Sequence, residues 1–235
     1  MDLLKSPWLL LFLIVAAAHL ATLGFQLGLA ANITKCLLAP LLAIWVVQQD
    51  GPWLLVVALI GCFFGDLFLE FEADIWFLVG MGAFAVAQIT FVVFFLKEGA
   101  LDRLLNHWWV IPVLLVVAAG LLALVWTGLP TALRVAVPIY AVLLLSMGAL
   151  AFSTDVHAGF GAALFIFSDA LIALRVADVL PRESVVASLV VMSTYIAALF
   201  LLSIGIVGYD KASADSPSPA VASDSNTSSS NPPTV

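Results

Sequence analysis

Two short stretches put a carboxyl where a membrane helix should be apolar. GCFFGDLFLEFEAD, residues 61–74, carries Asp66, and ALFIFSDALIAL, residues 163–174, carries Asp169. A charged side chain at the centre of a spanning helix costs roughly 2.5–3.5 kcal/mol on insertion scales, so a carboxyl placed there marks a functional site by default. A long basic side chain can reach back to the headgroups, but a short carboxylate cannot. Two kinds of chemistry use such groups: proton transfer to a bound substrate, and ion or proton coupling in a transporter. The choice depends on what else shares their depth.

The composition establishes that depth is the right coordinate. With 64% hydrophobic and 10% charged residues over 235 positions, and a mean hydropathy of +1.19, the chain has too little polar surface to cover a soluble globule. It reads as an all-α integral membrane protein. The net charge of −7 provides no basic face and argues against a nucleic-acid partner. Cys36 and Cys62 lie in apolar context and read as small packing residues. His19, His107 and His157 are expected away from the aspartates, so no metal site and no cofactor is expected, and a serine hydrolase built on Ser168 would lack a base.

About 20 apolar residues cross a bilayer core. Eight segments qualify: 8–29, 33–49, 53–70, 75–96, 108–126, 131–152, 157–178 and 185–208. Short separators with turn signals, among them QQDGP, TGLP, STD and LPRES, make neighbours antiparallel and predict an up-and-down bundle over residues 1–209. KEGALDRLLNH is read as a separator too. Trp8, Trp53, Trp76, Trp108, Trp109 and Trp126 fall near segment ends, where indoles favour the interface. The N-terminal run reads as a first span rather than a cleaved leader. Residues 210–235, rich in Ser, Pro and Ala, have no apolar face and read as a disordered tail.

Because alternate segments reverse direction, each residue can be assigned to the N-terminal side or the far side. Asp66 and Glu70, four residues apart and so on one helical face, fall in the far half of the third segment. Lys35 opens the second segment from the far side, and Arg134 opens the sixth from there. Ser168, Asp169 and Arg175 occupy the middle to far part of the seventh. Six ionisable groups thus gather in one half of the bundle. A weak internal likeness, TKCLLAP at 34–40 with LRVAVP at 133–138 and FFGDLFLE with IFSDALIAL, suggests a 4+4 parallel pseudo-repeat with the site between its halves.

These residues resemble the YhhN-like lysoplasmalogenase family of eight-helix membrane proteins. The likeness runs from ITK at residue 33 to STYIAALFLLSIG ending at residue 205. It rests on Thr34 and Lys35, on GDLFLE with Asp66, on FLVGMGAF at 77–84, on GAALFIFSDALIAL with Ser168 and Asp169, and on VMSTY ending at Tyr195. Gln88, Phe91 and Cys36 stand where the family usually has histidine, tyrosine and proline.

The resemblance implies hydrolysis of the vinyl ether bond of a lysophospholipid to a fatty aldehyde and a glycerophospho-base. It implies Asp66 and Asp169 as the catalytic pair, one as acid and one as carboxylate, the division that glycosidases give their paired acids. Substrate binding would fall to Lys35 and Arg134 at the phosphate, with Glu70, Tyr140, Ser168 and Tyr195 as further polar contacts. The partners expected are a lysophospholipid substrate and membrane lipids. The alternative is a transporter or proton-coupled permease using the same intramembrane charges. Lysines and arginines divide between the two sides, and the expected orientation has both termini cytoplasmic.

Overall fold

The computed structural model describes residues 6–71, 73–106, 108–181 and 184–215, with the backbone alone at Asp74. Lys5, Glu72, His107, Arg182 and the tail from residue 216 onward lie outside the described residues. Nine helices appear among the described residues: α1 (Pro7–Gly24), α2 (Gly28–Gln48), α3 (Trp53–Phe68), α4 (Asp74–Lys97), α5 (Ala100–Leu105), α6 (Val110–Val125), α7 (Leu133–Phe152), α8 (Val156–Val176) and α9 (Val185–Ala214). Six of them, α1, α2, α4, α7, α8 and α9, have the length and composition to cross a membrane, and α3 and α6 are shorter apolar helices of 16 residues each. The protein is an all-helical, multi-pass integral membrane protein. Each expected segment corresponds to one helix. The additional helix, α5, forms within the stretch read as a separator, where Gly99 at φ 70° turns the chain after α4.

Helix starts follow their capping chemistry. The Ser6 hydroxyl accepts from Trp8 N ahead of Pro7, Asp155 accepts from His157 N and Ala158 N, and the Ser184 side chain accepts from Ala187 N. α9 then runs to Ala214, six residues past the expected end at 208.

The helices α1, α2, α3, α4, α7, α8 and α9 pack side by side in that order, and α9 returns to α1 and α2, so the ring closes. α6 packs against α7 and α8. In lipid there is no hydrophobic force between helices, and small residues that allow close approach supply the packing. α8 and α9 show this at Gly161, where a Cβ would lie 2.6 Å from the backbone nitrogen of Leu202. Trp45, Phe12, Phe91, Phe95 and Phe165 fill the interior. The six tryptophans expected near segment ends are all exposed, whereas Trp45, in the last turn of α2, is fully buried.

Candidate active site

Asp66 lies in the last turn of α3 and is 2% exposed. Two neighbouring helices hold it, and a third packs behind them. The Tyr195 hydroxyl from α9 donates to its Oδ2 at 2.7 Å. Lys35 Nζ from α2 stands 4.0 Å from its Oδ1 and donates at 2.7 Å to Glu70 Oε1, just past the end of α3. The four-residue spacing of Asp66 and Glu70 therefore places both carboxylates on one lysine. From α4, the Phe84 ring meets Tyr195 edge-on at 6.1 Å and Phe165 edge-on at 6.1 Å. Gly65 makes room for that ring, because a Cβ there would lie 2.5 Å from it.

Asp169 on α8 is held by a second tyrosine: the Tyr140 hydroxyl from α7 donates to its Oδ2 at 2.5 Å. Both aspartates line one polar chamber of about 820 Å³, whose wall also includes Lys35, Glu70, Arg175 and Tyr195. A second, apolar cavity lies between α4, α6, α7 and α8, lined by Met81, Leu122, Ala141, Leu145 and their neighbours. Asp169, Phe84, Phe77, Leu69, Ile172 and Val176 line both cavities, and Asp169 is the polar residue among them. The polar chamber and the apolar groove therefore meet at Asp169.

The structure brings Lys35, Asp66, Glu70, Asp169, Ser168 and Tyr195 to one chamber and sets Tyr140 against Asp169 from the groove side. It does not bring Arg134. That side chain, exposed in the first turn of α7, donates from Nε to the Leu129 carbonyl at 3.2 Å and lines neither cavity. Arg175, on α8, supplies a basic wall residue instead. Ser168 is buried with its hydroxyl donating to the Val191 carbonyl at 3.3 Å, which ties α8 to α9. Gln88 and Phe91, on α4, are fully buried.

Some polar chamber residues were missed by the sequence reading. His19 was expected away from the aspartates, and it lines the same chamber from α1. Its only signal was a lone histidine in an otherwise apolar run, which is also what a packing histidine looks like. Asn32, at the start of α2, likewise lines the chamber.

The arrangement offers one buried and one half-buried carboxyl, each oriented by a phenol, a lysine on the first of them, and an apolar groove ending at the second. A model of the YhhN family matches residues 30–206. The human lysoplasmalogenase TMEM86B is 33% identical over 189 residues, which is 76% of this chain and 76% of the human protein. No solved structure matches the chain.

Proposed function

The chain belongs to the YhhN family, and on that premise we propose that it hydrolyses the vinyl ether bond of lysoplasmalogen-type lysophospholipids by paired-aspartate acid/base catalysis. The observation that carries the reading is the meeting of the polar chamber with the apolar groove at Asp169. An amphiphile with a charged head and a single apolar chain fits that shape, and its scissile group falls where head and chain join.

In this reading the alkenyl chain occupies the groove and Asp169 donates a proton to the alkene carbon distal to the ether oxygen. The resulting oxocarbenium ion adds water, and Asp66, the carboxylate with Lys35 at 4.0 Å, receives the proton that the water gives up. The hemiacetal collapses to a fatty aldehyde and the glycerophospho-base as its hydroxyl proton passes to the leaving glycerol oxygen, and transfer of the proton held by Asp66 to Asp169 through solvent closes the cycle. One carboxyl must be protonated and the other ionised, so kcat/KM follows a bell in pH. Tyr140 and Tyr195 orient the two acids, and Lys35 and Arg175 face the lipid phosphate. The direct test is release of fatty aldehyde from lysoplasmalogen by the detergent-purified protein, and no release above background would overturn the reading.

Lys35 contacts the headgroup in both the ground and transition states, so Lys35→Ala is expected mainly to raise KM, by about tenfold or more for the loss of a charge-assisted contact. Steady-state kinetics in mixed micelles check this. A fall in kcat at unchanged KM would place the lysine on the reacting centre. In the groove, Ala141→Phe is expected to lower kcat/KM for long alkenyl chains while sparing short ones, because the added ring occupies chain volume. A chain-length series reads the difference.

The same reading takes α3 and α6 as spans, giving eight crossings with both termini cytoplasmic. Sixteen helical residues reach ~24 Å, short of the hydrocarbon core but within what local thinning accommodates. The packing supports a 4+4 pseudo-repeat: α1 on α2, α2 on α3 and α3 on α4 correspond to α6 on α7, α7 on α8 and α8 on α9, and α4 on α7 corresponds to α9 on α2.

A further inference from the structure

His19 is a buried polar group that the mechanism above does not use. It is 1% exposed on α1 and lines the polar chamber with Lys35 and Asp66. Its Nδ1 lies 3.1 Å from the Ala31 carbonyl oxygen and 3.0 Å from Thr34 Oγ1. A carbonyl only accepts. Thr34 Oγ1 also lies 2.8 Å from Ala30 O and 3.0 Å from Ala31 O, and either carbonyl can take its single hydrogen. Both neighbours of Nδ1 therefore require a proton from it, which assigns the hydrogen of the neutral imidazole to Nδ1 and leaves a lone pair on Nε2. Nε2 is buried and has no hydrogen-bond partner among the described residues. A buried acceptor without a donor is unfavourable, so Nε2 is disposed to accept from a donor that a ligand brings into the chamber.

A phosphate oxygen cannot serve, because it too is an acceptor. A hydroxyl can. A lysophospholipid with its chain on the first glycerol carbon carries one free hydroxyl on the glycerol, at the adjacent carbon, and a diacyl-type lipid has an ester there. We propose that His19 Nε2 accepts a hydrogen bond from this free glycerol hydroxyl and so makes the site specific for lysolipids. The inference rests on the hydrolase reading for its substrate class. The family match begins at residue 30, and His19 lies before it.

The test compares a 1-alkenyl lysophospholipid with its 2-deoxy analogue. Wild type is expected to prefer the hydroxyl-bearing substrate in kcat/KM by roughly 10- to 100-fold, the penalty of one unpaired buried group. His19→Phe, which fills the volume without an acceptor, is expected to bring that ratio near one. His19→Gln, which restores an acceptor oxygen, is expected to recover part of it. A wild-type ratio of one overturns the proposal. So does an equal loss on both substrates in a folded His19→Phe protein with the ratio retained, since that marks a packing role or a role at the reacting centre.

Calorimetric binding of a non-cleavable 1-alkyl lysophospholipid and its 2-deoxy counterpart to wild type separates the two readings. If the vinyl ether is not hydrolysed but binding still discriminates by the hydroxyl, the hydrolase reading fails and the His19 contact stands. Equal binding of the two ligands removes the His19 contact whatever the activity.

Discussion

Asp169→Asn and Asp66→Asn are each expected to lower turnover of lysoplasmalogen by about 10²–10⁴-fold, the contribution of a positioned proton donor or acceptor. Asparagine keeps the shape of aspartate, and its carbonyl oxygen can still accept from Tyr140 or Tyr195, so both proteins should fold. At Asp169 the substitution removes the proton that generates the oxocarbenium ion. At Asp66 it removes the carboxylate beside Lys35 that takes the proton from water. Because the two act in sequence on one substrate, the double variant should be scarcely worse than the poorer single one. The measurement is aldehyde release by purified variants whose melting and elution match wild type. Near-normal turnover in either folded variant would falsify the paired-acid mechanism and direct attention to transport.

Gly65→Ala is expected to destabilise the bundle by about 1–3 kcal/mol, and Gly65→Leu by more, through overpacking. The added Cβ would lie 2.5 Å from the Phe84 ring. That ring cannot simply swing aside, since Phe165 and Tyr195 each meet it edge-on at 6.1 Å. Displacing it pushes on Tyr195, whose hydroxyl holds Asp66. Activity should therefore fall along with the melting temperature, although residue 65 touches no substrate. Gly82→Ala is the control, because a Cβ there meets nothing within 4 Å, and it should melt within a few degrees of wild type. If the two alanine variants melt alike, the steric account of the Gly-Asp pair is wrong.

The same glycine shows how far the sequence reached. GD at 65–66 was visible as a carboxyl after a small residue, but that the small residue admits Phe84 required α4 to be packed against α3. Depth was legible because it accumulates along the chain at 1.5 Å per helical residue. The apolar runs and their separators placed Lys35, Asp66, Glu70, Asp169 and Arg175 in one half of the bundle, and all five line one chamber. The cost of burying a carboxylate in lipid singled out the two aspartates without any partner being known.

What the sequence alone could not supply was azimuth, the direction in which each residue points around its helix axis. That is fixed by which neighbours a helix packs against, and it varies by 100° per residue, so a small change in docking exchanges inside for outside. Arg134 has the expected depth, but its helix turns it outward onto the Leu129 carbonyl. His19 sits in an apolar run that gave no sign of a polar neighbour, and docking of α1 on α2 turns it into the chamber. The assignment of Tyr195 to Asp66 and Tyr140 to Asp169, and the use of the Ser168 hydroxyl to tie α8 to α9, are decided in the same way. The residue types and their depths came from the sequence, and closure of the helix ring settled which of them face one another, because side-chain direction is a property of packed pairs of helices and not of either helix alone.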